Sequence, residues 1–225
     1  MPRRDLRVHT GSVPIAGQAD LAVIKLGGSV VRTGDLSAWL DAIAAAPRPI
    51  VLVPGGGALA DEVRACQARL GFADRVGHEM ALLAMNQLAL AVAGLRQGFA
   101  VGATEAELRM ALERGDVAVW APYGLVAGRA DVEPSWRVTS DSLALWLAAR
   151  MGAPRCFLIK SVKREATAAN AAELSRAGIV DMAFPAMLKN TGIRAFFLGR
   201  GDQHALAPAL ACEEPDAGGW ATHIV

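Results

Sequence analysis

The sequence has almost no excess of charge of either sign. Its 225 residues carry 23 lysine and arginine residues against 22 aspartate and glutamate residues, a formal net charge of +1. This balance gives no indication of a surface for nucleic acid or for anionic membranes, so we expect neither as a partner. Any recognition of a phosphate group must then be local, through a few residues gathered in one place.

Metal-ligand spacing and long apolar runs are also missing. The three cysteines, Cys66, Cys156 and Cys212, are scattered and odd in number, so we expect reduced thiols, no metal site and a cytoplasmic location. No apolar stretch follows the arginines near the N-terminus, which argues against a signal peptide. Residues 80–95 are apolar but interrupted by two polar amides and too short to span a bilayer, so they predict a buried helix.

Short, fully apolar strands alternate with helices along the chain. This order predicts an α/β fold in which a mainly parallel central sheet lies between helices. No linker divides the chain, so we expect a polar tail over residues 1–18 and a single domain over residues 19–225. The predicted strands cover residues 21–26, 50–53, 117–120, 155–159, 193–198 and 222–225, and the predicted helices cover residues 35–46, 58–70, 78–97, 104–114, 139–151 and 170–178.

Glycines follow the first two strands. Lys25 precedes Gly27 and Gly28, with Ser29 after them, and residues 55–57 are all glycine. Glycine lets backbone amides approach an anion, and the helix after the second loop adds the positive end of its dipole. Because ends of parallel strands meet at one edge, the loops can hold two phosphate groups face to face. They predict phosphoryl transfer, with an ordinary tight turn as the alternative for either loop.

Charged residues elsewhere are candidates to complete such a site. Asp141 lies at a helix start, where an acidic residue is common for structural reasons, but it also suits a carboxylate that holds Lys25 by a charge-assisted hydrogen bond. Lys160, Lys163 and Lys189 are candidates for a second positive charge on the transferred group. For each of them a solvated surface lysine is the alternative.

Four motifs, taken in order, resemble the amino acid kinase family. They are Lys-Leu-Gly-Gly-Ser at 25–29, Val-Pro-Gly-Gly-Gly at 53–57, Thr-Ser-Asp-Ser at 139–142 and Thr-His-Ile at 222–224. The resemblance runs from about residue 21 to the end of the chain. It implies a three-layer α/β sandwich, ATP with magnesium as the phosphoryl donor, a small-molecule phosphate acceptor and, by analogy, a homo-oligomer.

The resemblance also implies a role for each candidate residue. The catalytic group would be Lys25, Asp141 and a second lysine, for which Lys189 is the candidate. The nucleotide phosphates would bind to Lys25, Gly27, Gly28, Ser29 and Lys160. The acceptor would bind to Gly55, Gly56, Gly57, His78 and Thr139, with His78 expected at the start of the long helix.

Within the family, residues 77–85 and 134–142 are similar to the aminomethylfuran phosphate kinases of methanofuran biosynthesis. Bacteria that use C1 compounds have a related cofactor, methylofuran. This similarity implies transfer of the γ-phosphoryl group of ATP to a phosphorylated aminomethylfuran, which gives a diphosphate.

One segment departs from the family pattern. Where relatives have an acidic stretch of the Thr-Asp-Val-Asp-Gly kind, this chain has Lys-Ser-Val-Lys-Arg at 160–164. The change leaves altered nucleotide binding, a different donor and lost catalysis open. The alternative functions are a non-catalytic binding or storage protein of the same fold, and a kinase for another phosphate acceptor such as uridylate or isopentenyl phosphate.

Overall fold

The computed structural model describes residues 20–164 and 168–225. The polar tail predicted at residues 1–18 lies outside them. The strands are β1 (Ala22–Leu26), β2 (Ile50–Pro54), β3 (Phe99–Gly102), β4 (Val117–Trp120), β5 (Arg155–Ile159), β6 (Ala168–Ala169), β7 (Arg194–Leu198) and β8 (Thr222–Ile224). The helices are α1 (Leu36–Ala44), α2 (Gly57–Leu70), α3 (Asp74–Leu95), α4 (Glu105–Glu113), α5 (Tyr123–Val126), α6 (Ser140–Met151), α7 (Ala171–Arg176), α8 (Phe184–Thr191) and α9 (Leu206–Ala211).

The strands form one sheet in the order β3-β4-β2-β1-β5-β7-β8-β6. In the described chain β7 and β8 pair antiparallel and the other pairings are parallel. The strand order reverses at β1, which lies between β2 and β5, and ligands of open α/β sheets bind where the order reverses. Leu26 is in register with both Pro54 and Ile159, so the residues that follow these three strands meet at one edge.

Helices cover both faces of the sheet, as the uniformly apolar strands predict. Val23 and Leu158 belong to a core that includes the buried face of α6, whereas Ile24 and Phe157 belong to a second core with α1 and α9. Successive side chains of a strand point to opposite faces. The strand alternation therefore decides which helix each residue meets.

The structure corrects the predicted long helix at residues 78–97. It begins at Asp74 and ends at Leu95, so His78 lies in its second turn rather than at its start. Gly77 obscured that start because glycine is typical of helix ends, but here a Cβ at Gly77 would lie 3.3 Å from the Trp136 ring. The glycine allows close packing inside the helix.

The same helix is buried on one side only. Among the described residues it is the one helix that is long and apolar enough to cross a membrane, by length and composition only. Of its 18-residue apolar stretch, 39% is buried. Its inward side includes Leu82 and Met85, while Leu83, Leu90 and Leu95 are exposed. The prediction of a buried helix therefore holds for one face.

Several elements were not predicted from the sequence. Strand β3 has four residues between a glycine turn and the capping box of α4, too few to show a pattern. Helices α8 and α9 are short and each contains a proline, Pro185 and Pro208, which reads as a loop signal. Proline is tolerated in a first helical turn because the missing amide has no partner there.

The two glycine loops lie directly against each other. A Cβ at Gly28 would lie 2.3 Å from the backbone nitrogen of Gly57, and one at Gly55 would lie 2.7 Å from that of Gly28. Gly57 also has a positive φ of 53°. No side chain fits at these contacts, so the glycines are required for the two loops to meet at the edge of the sheet.

Candidate active site

Two strands direct lysines beneath the glycine loops. Lys25 on β1 and Lys160 just after β5 have the same strand parity as Val23 and Leu158, so both side chains face α6. The chain has only four lysines, and these two are 4% and 9% exposed. The Nζ atom of Lys25 lies 3.6 Å from the position of a Cβ at Gly27, which places its charge next to the first loop.

Asp141, in the first turn of α6, lies between the two lysines. Its Oδ1 atom is 2.8 Å from Nζ of Lys25, and both of its oxygens are 2.7 Å from Nζ of Lys160. Asp141 is 5% exposed, and an unpaired buried charge costs several kcal/mol. The structure thus brings Asp141 to Lys25, as expected, and adds Lys160 to the same carboxylate.

The charges of this cluster depend on one another. Burial alone would raise the pKa of Asp141, but the charges and hydrogen bonds of Lys160 and Lys25 lower it to about 2. Burial lowers the pKa of Lys160 to about 8, with the charge of Asp141 opposing and that of Lys25 adding to the decrease. At neutral pH the cluster has two cations and one anion, and its net positive charge suits a phosphate group.

Lys189 does not lie in this cluster. It is in the last turn of α8 and is exposed. The sequence-based choice of Lys189 as the second lysine was therefore wrong in position, because the second lysine on Asp141 is Lys160. Lys163 is exposed in the same segment as Lys160, whereas Arg164 donates to Asp202 at 2.9 Å.

A cavity of about 210 Å³ joins the loops to the acceptor candidates. Gly28, Ser29, Gly55, Gly56, Gly57, His78 and Thr139 all line it. Three lining residues that sequence reasoning missed are Arg32, Arg64 and Trp136. The guanidinium of Arg64 lies 4.0 Å from the centre of the Trp136 ring, and Trp136 donates to Gln67 at 2.6 Å. No sequence motif connects Arg64 and Gln67 with Trp136. They meet only because α2 packs against the loop before α6.

The backbone amides of the loops are not all free for a phosphate. Gly27 donates its amide to the carbonyl of Ile159 at 2.9 Å, and Gly55 donates to Leu26 at 2.8 Å. Both bonds extend the sheet, so the expected donation from Gly27 to a nucleotide is corrected. The first amides of the 3-10 turn Gly28–Arg32 and of α2 have no partner within their own helices and are the groups suited to an anion.

Two acceptor candidates are more constrained than expected. The Thr139 hydroxyl donates to Asp181 at 2.9 Å, so its proton is already in use. His78 is 5% exposed, and its Nε2 atom has no hydrogen-bond partner among the described residues. Burial lowers the pKa of His78, against the opposing charge of Glu79, so its imidazole is neutral at pH 7.

The site suits phosphate groups better than a bare metal ion. Residues 20–164 and 168–225 contain no cluster of three or more His, Cys, Asp or Glu side chains suited to a metal. Both oxygens of Asp141 already face lysines. Magnesium would therefore be held mainly by phosphate oxygens and water, as is common for this ion.

The amino acid kinase family profile matches residues 20–164. This range is more than half of the chain and includes all three residues of the lysine cluster. The chain belongs to the amino acid kinase family. The α/β fold and the phosphotransferase activity predicted from the sequence are thereby confirmed. Oligomeric state, cytoplasmic location and the domain limits stay predictions.

One relative of known activity is similar to this chain in sequence, and several solved structures are similar to it in fold. The chain is 25% identical to [5-(aminomethyl)furan-3-yl]methyl phosphate kinase of Methanocaldococcus jannaschii, over 77% of this chain and 85% of the relative. It also superposes on uridylate kinase from Archaeoglobus fulgidus (TM-score 0.68, 17% identity, 91% of this chain and 99% of the other). UMP kinase from Ureaplasma parvum gives a TM-score of 0.65 at 14% identity, over 92% and 96% of the two chains. Aspartate kinase from Synechocystis gives 0.58 at 19% identity, and only 39% of that longer chain is covered.

The cluster makes a prediction about stability. Asp141→Asn leaves two buried ammonium groups without their anion, so we expect the free energy of unfolding to fall by about 3–5 kcal/mol at pH 7. Urea denaturation measures this loss. Asp41→Asn is the control, since Asp41 forms an exposed ion pair with Arg96 and its removal should cost about 1 kcal/mol or less.

The stabilisation of the fold by Asp141 should decrease as the pH falls. The folded-state pKa of Asp141 is below its ordinary value of 3.8, so its stabilisation is complete above that pH and is lost as the pH falls toward 2. The difference between wild type and Asp141→Asn should shrink over that interval. Equal losses in Asp141→Asn and Asp41→Asn at pH 7 would contradict the paired cluster.

Proposed function

We propose that this enzyme transfers the γ-phosphoryl group of ATP to a phosphorylated aminomethylfuran and so forms a diphosphate. The observation that carries the proposal is the Lys25–Asp141–Lys160 cluster, which lies beneath two glycine loops in direct contact. Two facing anion sites suit a donor phosphate and an acceptor phosphate. The similarity to the M. jannaschii kinase supports the furan as the acceptor.

The lysines would act on the charge of the transferred group. Phosphoryl transfer needs positioning and positive charge more than covalent chemistry by the protein. Lys25 and Lys160 are held in place by Asp141, so their ammonium groups need no reorganisation when negative charge moves between the oxygens. Magnesium, when bound with the nucleotide, would neutralise further phosphate charge. No protein base is required, because an acceptor phosphate is already anionic at neutral pH.

The residues that line the acceptor cavity suit the phosphate, the furan ring and the aminomethyl group of such a substrate. Amides at the start of α2 and the Arg64 guanidinium suit its phosphate. The Trp136 ring, fixed by Gln67, and the side chains of Leu82 and Met85 suit a flat, apolar ring. The neutral imidazole of His78 lines the same cavity and is suited to accept a hydrogen bond from the aminomethyl group.

The altered segment at residues 160–164 favours an active kinase over a protein that has lost catalysis. It contributes Lys160, a second cation on the carboxylate, and it meets the first loop through the hydroxyls of Ser29 and Ser161 at 2.9 Å. A storage or scaffold protein would not need two cations held on one buried anion. Calorimetry with ATP and magnesium separates these readings, since the folded storage protein would bind no nucleotide.

A kinase acting on uridylate is the second candidate function. Two structural neighbours are named as kinases of that nucleotide, and the cavity would accept a phosphate from either acceptor. We expect a panel of aminomethylfuran phosphate, UMP and isopentenyl phosphate, followed by ADP release, to give the highest kcat/KM with the furan. A higher kcat/KM with UMP would contradict the furan assignment and leave the phosphotransferase assignment intact.

The lysine cluster predicts a large kinetic effect. Lys25→Ala removes a charge partner of the transferred phosphoryl group, so we expect turnover to fall by about 100-fold or more. Steady-state ADP release with the best acceptor measures it. Lys163→Ala is the matched control, because Lys163 is exposed and only three residues after Lys160. Near-normal turnover of Lys25→Ala would rule out the proposed role.

A further inference from the structure

A second carboxylate, which is half-buried, lies next to the cluster without touching either lysine. Asp181 precedes α8, some forty residues after Asp141 in the chain. Its Oδ2 atom accepts from the amide and the hydroxyl of Thr139, at 2.8 and 2.9 Å, and from the amide of Ser142 at 3.0 Å. Its Oδ1 atom accepts from the hydroxyl of Ser142 and from the amide of Phe184, the latter at 3.0 Å.

These hydrogen bonds replace a helix cap. The first amides of a helix have no partner within it, and a side chain at the N-cap position usually accepts from them. Thr139 has the N-cap position of α6 but makes no such bond. Asp181 supplies the acceptor from another part of the chain, and it also orients the hydroxyls on both sides of the turn.

The turn held in this way is the one that carries Asp141. Thr139 and Ser142 flank Asp141, so Asp181 fixes the backbone before and after it. Both carboxylates lie near the positive end of the α6 dipole. Burial raises the pKa of Asp181, and the charge of Asp141 raises it further, while the hydrogen bonds from Ser142 and Thr139 oppose both. The two carboxylates are therefore close enough to interact electrostatically.

We propose that Asp181 is a positioning residue for phosphoryl transfer, which holds the first turn of α6 so that Asp141 meets both lysines. The inference rests on the proposed role of the lysine cluster in catalysis. Asp181 itself touches neither lysine, and its effect passes through Asp141. The groups that face Lys160 directly are Asp141 from α6 and Lys25 from β1.

The test compares the half-buried Asp181 with a more exposed acid, Asp131, that also contacts α6. Asp181→Asn keeps the size of the side chain but removes the charge, and its single amide oxygen cannot accept at both the Oδ1 and the Oδ2 positions, so one of the two sets of donors loses its acceptor. Asp131→Asn is the matched control, since Asp131 accepts from Trp146 of the same helix at 3.0 Å but lies away from the turn that carries Asp141. Circular dichroism and thermal melting establish that each variant is folded.

The decisive readout does not depend on the acceptor. With only four lysines, carbon-13 NMR of protein labelled at lysine Cε can follow each one through a pH titration. In wild type we expect one lysine to titrate near pH 8, as Lys160 should. Asp181→Asn should lower that value by roughly 0.5–1 pH unit, because a displaced Asp141 would raise the pKa of Lys160 less than it does in wild type. Asp131→Asn should leave it unchanged.

Kinetics give the second readout. In Asp181→Asn we expect kcat to fall by roughly 10- to 100-fold, the loss typical of a misplaced catalytic group, with KM for ATP changed by no more than about threefold. The alkaline limb of the pH profile of kcat should move to lower pH together with the lysine titration. Ser142→Ala, which removes one hydrogen bond and keeps the charge, should lower kcat less and leave that limb in place.

The outcomes are distinct. Asp181→Asn with a lower melting temperature but unchanged lysine titration and kcat would overturn the inference and leave Asp181 as a structural cap. The expected shift of the lysine titration, in a protein whose wild type phosphorylates no acceptor tested, would support the role of Asp181 and contradict the proposed function. Equal shifts in Asp131→Asn and Asp181→Asn would also overturn the inference.

Discussion

The interaction on which the site depends is the contact of one buried carboxylate with two buried ammonium groups. Each partner alone would be costly to bury, and Asp141 is the anion that lets Lys25 and Lys160 remain charged away from water. The three side chains together keep a net charge of one positive unit. A phosphate group brought against the glycine loops would neutralise it, and this is where such a group carries negative charge during transfer.

The fold produces this arrangement by simple means. Strand alternation directs both lysines to the face covered by α6, and the shared register of β1 and β5 makes them neighbours. The helix brings Asp141 in its first turn, near the positive end of its dipole. The loops lie beside them because Gly28 and Gly57 have no side chains to separate the chains. Fold and charge thus converge on the edge where the strand order reverses.

The local features of the site were predictable from the sequence, and the distant pairings were not. Both glycine loops, Lys25 and Asp141 follow from strand and helix signals within a few residues of each. The choice of Lys189 over Lys160 as the second lysine was wrong, because which lysine reaches Asp141 depends on how the end of β5 packs against α6. Asp181 and the Arg64–Trp136 pair carry no local signal, since they act through contacts between residues far apart in the chain. From the sequence, the basic segment at 160–164 left altered nucleotide binding, a different donor and lost catalysis open, whereas in the structure it adds a cation to the cluster.

A crystal structure with magnesium, ADP and aluminium fluoride tests the central claim most directly. Aluminium fluoride mimics the phosphoryl group in transfer, so its fluorine atoms report where the protein places positive charge. The account predicts that the Nζ atoms of Lys25 and Lys160 both lie within about 3 Å of the mimic while Asp141 still joins them. A mimic bound away from both ammonium groups, with the cluster unchanged beneath it, would contradict the account.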